Sequence, residues 1–198
     1  MVAKTMICLG AATVLVALGY FGWKLTARGA YESAEYSVLT ADGPIETREY
    51  ADLMVATTNT QFESQGGDGS FMRLFRYIGG ANDVGQKVAM TTPVFTESGT
   101  DSTPGQMGFV IPAQVTAQSV PEPSDENVQI RKRAGGRFAV IRFAGRLNSE
   151  TVVIAEEQLT KWMNEQGLIR DGDAEFAGYD PPWTPGPLRR NEVLIRLK

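Results

Sequence analysis

Histidine is absent from all 198 residues. Its absence removes the commonest metal ligand and the usual general base near neutral pH. Cysteine occurs once, at Cys8, so there is no internal disulfide, no CxxC pair and no thiolate cluster for zinc. Cys8 also precedes the end of the first apolar run, which argues against a lipoprotein signal. Positive charge is in short supply, with 19 Lys and Arg against 23 Asp and Glu for a net charge of −4. A chain with no cationic excess has little with which to neutralise a phosphate backbone, so nucleic acid is not an expected partner. There is no P-loop, no GxGxxG after a strand, no GxSxG elbow and no HExxH. No catalytic residue and no metal site is therefore expected, and the chain reads as a non-enzyme.

What is present begins with an apolar run. Residues 5–23 carry no charge and include Ile7, Leu9, Val14, Leu15, Val16, Leu18, Phe21 and Trp23. Roughly 20 such residues span a bilayer. Tyr20 and Trp23 match an interfacial aromatic belt, with Lys24 and Arg28 in the headgroup zone beyond. We read residues 1–29 as a signal anchor with a short linker. A cleaved signal peptide is the alternative, on the loose A-x-A-like site Ala27-Arg28-Gly29, and a buried core helix is a third reading. The expected location is an inner membrane with the domain in the periplasm, or a secreted or periplasmic protein if the segment is cleaved.

Residues 30–198 read as one domain containing a repeat. Ile45-Glu-Thr-Arg-Glu-Tyr50 and Leu53-Met-Val-Ala-Thr-Thr58 flank Ala51-Asp52, and Val128 to Arg133 and Arg137 to Phe143 flank Ala134-Gly135-Gly136. Each pair is expected to form a hairpin. A helix follows each: residues 70–78 stopped by Gly79-Gly80, and residues 149–166 capped by Ser149, with Ile154, Leu159, Trp162 and Met163 on its apolar face. Two more strands follow each helix, over residues 87–95 and 107–111 and over 175–179 and 193–197. The result is two ββαββ units. Antiparallel strands with helices outside them suggest an α+β domain built on a curved sheet or barrel.

Three segments carry possible chemistry. The first helix places Phe71, Leu74, Phe75 and Ile78 at i, i+3, i+4, i+7 spacing, with Met72, Arg73 and Arg76 around the cylinder. Its stripe alone reads most simply as core; together with the methionine and the two arginines, the alternative is a surface for a flat amphipathic ligand whose carboxylates meet arginine. Residues 178–191 hold four prolines and two glycines around Trp183, Arg189 and Arg190, a stiff aromatic loop suited either to binding or to closing the end of the sheet. There, Asp180 is an expected partner for one of the arginines. Residues 85–95, with Lys87, Met90, Thr91 and Thr92, read as a buried central strand. Glu156-Glu157 reads as part of a solvated helix face.

Taken in order, Phe71-Met-Arg-Leu-Phe-Arg-Tyr-Ile-Gly-Gly-Ala-Asn82, Gly85-Gln-Lys-Val-Ala-Met-Thr-Thr-Pro-Val94, Met107-Gly-Phe-Val-Ile-Pro112, Gly178-Tyr-Asp-Pro-Pro-Trp183 and Arg189-Arg-Asn-Glu-Val193 resemble the SOUL haem-binding family over about 150 residues. The resemblance implies a twofold-repeated, distorted antiparallel β-barrel flanked by two helices, of gyrase-inhibitor-like effector-binding architecture. It also implies haem or another tetrapyrrole in a groove between the first helix and the proline-rich loop. By position, the expected binding residues are Phe71, Met72, Phe75, Arg76 and Trp183, with Arg76 as propionate partner. Thr184 stands where some members offer a lysine, and no axial histidine is available. Met72, Met90, a tyrosine or water would have to serve as axial ligand. The expected function is reversible tetrapyrrole carriage or buffering at the membrane. A small-molecule hydrolase or ligand-modifying enzyme using Glu and Tyr in a central cleft, and a protein-interaction module docking through the Trp183 loop, are the alternatives.

Overall fold

The structure, a computed structural model, describes residues 31–64, 67–99, 104–181 and 184–198. The expected anchor over residues 1–29, and Trp183, lie outside the described residues. Among the described residues no helix is long and apolar enough to cross a membrane.

Eleven strands are described: β1 (Glu32–Ser33), β2 (Tyr36–Asp42), β3 (Ile45–Tyr50), β4 (Leu53–Thr60), β5 (Thr91–Thr92), β6 (Val94–Glu97), β7 (Gly105–Val110), β8 (Gln129–Arg133), β9 (Gly136–Phe143), β10 (Arg170–Gly178) and β11 (Asn191–Leu197). The helices are α1 (Ser70–Ile78), α2 (Ala113–Thr116) and α3 (Ser149–Glu165). Nine strands form one antiparallel sheet in the order β2-β3-β9-β11-β10-β6-β7-β4-β8, and β1 pairs with β5 in parallel.

The two ββαββ units are present, but neither expected hairpin is. β3 pairs with β2 and β9, whereas β4 pairs with β7 and β8. The segments that resemble turns are crossings. At Ala51-Asp52 and Ala134-Gly135 each unit passes from one half of the sheet to the other, and its strands pair across the repeat. The crossings meet directly, with the Gly135 N–H donating to Asp52 Oδ1 at 2.8 Å. A Cβ on Gly135 would lie 2.3 Å from the Tyr50 carbonyl oxygen, so close approach, not turn geometry, requires glycine there.

The expected barrel does not close either. β2, an exposed strand that the sequence shows only as a link, caps one end of the sheet, and β8 caps the other. The sheet nevertheless curls strongly. The guanidinium of Arg133 on β8 lies 4.7 Å from the Phe138 ring of β9 and 5.5 Å from the Tyr50 ring of β3, strands near the opposite edge. Of the expected central strand, only Val94 and Phe95 join the main sheet, at the start of β6; Thr91–Thr92 belongs to the small parallel pair.

Alternation along the strands divides side chains between a concave and a convex face. On the convex face α3 packs Val152, Ala155, Leu159 and Met163 against Ile141, Phe176, Val193 and Ile195. Ile154 is exposed, so the buried stripe lies further round α3 than the spacing suggested. Its N-cap is Asn148, one residue before the expected Ser149. The Asn148 side chain accepts from the Thr151 N–H at 3.0 Å in a reciprocal box. α1 packs Leu74, Tyr77 and Ile78 against Ala56, Met107 and Phe109.

Candidate functional site

Between α1 and the loop after β10 the convex face opens into a cavity of about 440 Å³, within the size range of small-molecule pockets. Its floor comes from alternate residues of central strands: Thr60 of β4, Val94 and Thr96 of β6, Met107 of β7 and Gly178 of β10. One wall is α1, with Phe71, Met72 and Phe75; the loop contributes Tyr179, Asp180, Pro181, Arg189 and Asn191. Tyr31, Met90 and Thr92 complete the lining from the β1–β5 side, and Phe62 and Leu147 from the side of α3.

The stripe on α1 is thus two stripes. Leu74 and Ile78 enter the core, while Phe71 and Phe75 turn to the slot, their rings 15° from parallel with centroids 6.1 Å apart. Phe71 is braced edge-on by Phe109 at 5.3 Å. Phe75 and Met72 each remain 49% exposed, a large apolar area for one turn of helix to leave in water. The start of α1 is fixed from below: Asp68 Oδ1 accepts from the Ser70 N–H and Oδ2 from the Gln61 N–H. Burial opposes ionisation of Asp68, but hydrogen bonds from Ser70, Gln61 and Thr60 outweigh it and hold the carboxyl well below its ordinary value.

Of the residues expected to bind, Phe71, Met72 and Phe75 meet in the slot. Arg76 is exposed and does not line it. Arg73 is a structural pin, donating to Thr58 Oγ1 at 2.9 Å and to the Asn59 carbonyl at 2.7 Å. The cation at the slot is Arg189, held in place by donation from Nε to the Thr184 carbonyl at 2.8 Å. Thr184 itself is buried and outside the lining. Asp180, the expected partner in this loop, accepts from the Arg190 N–H through Oδ2 at 2.6 Å.

Behind Tyr179, on the concave face, lies a second cluster that sequence reasoning missed. Glu192 is fully buried and accepts two bonds from Arg48, at 2.7 and 3.0 Å, two from Arg190, at 2.6 and 3.0 Å, and one from the Tyr179 hydroxyl at 2.9 Å. Burial would raise the Glu192 carboxyl, but the two guanidiniums outweigh it and hold it ionised. Burial, with the Glu192 charge and Tyr50 beside it, drives the Tyr179 phenol upward, so it stays a neutral donor. Arg48 also stacks 4.1 Å from the centroid of the Tyr36 ring. Glutamate and tyrosine do converge here, but as an ion cluster whose Glu192 carboxylate is fully buried and taken up by five hydrogen bonds. Nor do the described residues contain a group of His, Cys, Asp or Glu able to hold a metal ion.

The SOUL heme-binding protein family model matches residues 31–196, nearly all of the described chain. The chain belongs to the SOUL haem-binding family. It is 30% identical to Heme-binding protein 1 of Mus musculus over 180 residues, covering 87% of this chain and 90% of the mouse protein. Against Heme-binding protein 1 of Sus scrofa the identity is 25% over 179 residues, with 87% and 89% covered. Two solved structures share the fold at low identity. The EcmrR C-terminal domain has a TM-score of 0.55 at 13% identity, over 82% of this chain and 98% of that one. A hydrolase from Listeria innocua has a TM-score of 0.56 at 10% identity, over 81% and 94%. What these share with the chain is the α+β fold built on a large antiparallel sheet.

Haem is the cofactor of the SOUL family, and the slot suits a flat macrocycle. Two near-parallel aromatic rings form one wall. Gly178 leaves open space where a Cβ would meet no atom within 4 Å, and Arg189 supplies a cation for a carboxylate. Among the lining side chains able to reach a metal, Tyr179 is committed to Glu192 and Met107 accepts from Ser70 Oγ at 3.7 Å. Met72, Met90 and Tyr31 are the other thioether and phenol side chains of the lining.

Proposed function

We propose that this protein binds haem or a metal-free porphyrin reversibly in the slot between α1 and the loop after β10, and carries or buffers it at a membrane. The observation that carries this reading is the wall of Phe71, Met72 and Phe75 facing Arg189 across a glycine-floored cavity in a chain of the SOUL family. The protein holds the ring by apolar burial and by arginine–carboxylate pairing, and the bound cofactor would supply its own metal chemistry. Without histidine, metal ligation contributes little, so haem and protoporphyrin bind with similar, modest affinity. The uncharged run over residues 5–23 anchors the domain, on the periplasmic side of an inner membrane. The ion cluster behind Tyr179 favours binding over catalysis, because its Glu192 carboxylate is fully buried and taken up by five hydrogen bonds.

Titration of residues 31–198 with ferric haem and with protoporphyrin, followed by absorbance and tryptophan quenching, tests the reading. Both ligands should saturate, and Phe75→Ala should weaken both. Binding of haem alone, or of neither, would remove the metal-independent slot.

A further inference from the structure

We propose that the mouth of the slot rests on the bilayer into which the N-terminal run inserts, so that ligand passes between lipid and slot without crossing water. This rests on the membrane and tetrapyrrole readings above, and deepens them by assigning a contact surface.

The attachment point is fixed by the fold. β1 pairs with β5, the Ala34 N–H donates to the Thr92 carbonyl at 2.8 Å, and Glu32 Oε1 accepts from the Ala113 N–H at 3.0 Å. Thr92 and Tyr31 both line the slot, so the chain leaves the domain at the slot itself. Only residues 24–30 separate Tyr31 from the uncharged run. Seven residues reach at most about 25 Å when fully extended. A domain of this length has a radius of gyration of roughly 15 Å and is therefore about 40 Å across. The tether is too short to let the far side of the domain turn to the membrane.

The surface presented at that point suits lipid. Tyr31 is 41% exposed and Met72 and Phe75 49% each. α1 contains no acidic residue, and its Arg76 is exposed. Apolar side chains flanked by arginine match an interfacial contact, in which the ring and thioether enter the acyl boundary and the cation stays among headgroups. A tetrapyrrole, flat and apolar with carboxylates at one edge, has the same polarity profile and partitions to the same depth.

The test uses the full chain with Cys8→Ser, a single cysteine introduced by Met72→Cys or, on the exposed side of α3, by Val153→Cys, and an environment-sensitive fluorophore on each. In phosphatidylcholine vesicles doped with phosphatidylglycerol, the probe at 72 should be quenched by spin-labelled lipid and shielded several-fold from iodide. The probe at 153 should show the reverse. Phe75→Cys provides a second position should Met72→Cys fold poorly. Equal iodide access at 72 and 153 would overturn the proposal. So would shielding at 72 without lipid quenching, which would mean that the N-terminal run occupies the slot. Failure of the porphyrin titration on residues 31–198 would remove the ligand reading and leave the probe result standing.

Discussion

Arg48 and Glu192, 144 positions apart in the chain, form a two-bond ion pair at 2.7 and 3.0 Å in which the side chains are 1% and 0% exposed. The pair spans from β3 to β11 across the intervening β9, on the concave face. Such a pair is costly to build and costlier to break, because removing one partner strands the other's charge in a low-dielectric interior. Glu192→Gln removes the buried charge that Arg48 and Arg190 share, leaving Arg48 its second ion pair with Glu46 at 2.7 Å, and should cost about 3 kcal/mol, read as a lower midpoint in guanidinium unfolding. Since Tyr179 also donates to Glu192 and lines the slot, the same variant should weaken porphyrin binding. Unchanged stability would mean that water solvates the cluster.

Gly178 offers a way to block the slot without touching the core. Its missing Cβ faces open space, and its strand neighbour Ala177 packs into the core of the opposite face. Gly178→Leu should therefore fold with near-wild-type stability while losing porphyrin binding at least tenfold. A variant that binds normally would place the ligand elsewhere.

Those two positions also show where sequence reading succeeds and where it stops. The order of strands and helices was legible, because helix periodicity and glycine stops are local; α1 begins and ends where expected. Strand pairing was not. Ala51-Asp52 has the composition of a turn whether the chain reverses onto its neighbour or crosses to the other repeat, and only contacts some 80 residues away decide. The alternation Glu46, Arg48, Tyr50 carries no apolar signal of burial, yet the curl of the sheet buries Arg48 and Tyr50. Phe71, Met72 and Phe75 were accessible through the family motif, whereas the role of Arg189 depends on how the proline-rich loop folds back. That loop's conformation is set by the Asp180 and Thr184 contacts, which leave no periodic signal.

Alkaline titration should separate the tyrosines. Burial pushes the hydroxyls of Tyr50 and Tyr77 up to about 12 from an ordinary 10.0. For a group whose folded value is raised, the stabilisation is complete below the unfolded value and disappears as pH climbs to the folded one. Stability should therefore hold to about pH 10 and then fall steeply towards pH 12. Phenolate absorbance should rise in two stages, the second coinciding with loss of circular dichroism. A single stage near pH 10 with the fold intact would mean that these hydroxyls are hydrated.

Gly135 carries the most localised prediction about the fold. A methyl there would lie 2.3 Å from the Tyr50 oxygen and 2.5 Å from the Ala51 carbonyl carbon, backbone atoms of the other crossing that cannot rotate away. Relief requires the two crossings to separate, which stretches the Gly135–Asp52 bond and shifts β8 against β9. Gly135→Ala should cost roughly 2–3 kcal/mol, at the upper end for overpacking. Gly186, where a methyl meets nothing within 4 Å, is the control, and Gly186→Ala should be neutral or slightly stabilising because it restricts the unfolded chain. Comparing urea midpoints of the two variants isolates the crossing. If both behave alike, the repeats do not depend on the contact between their crossings, and the pairing of β3 with β9 and of β4 with β8 is sustained by the strands alone.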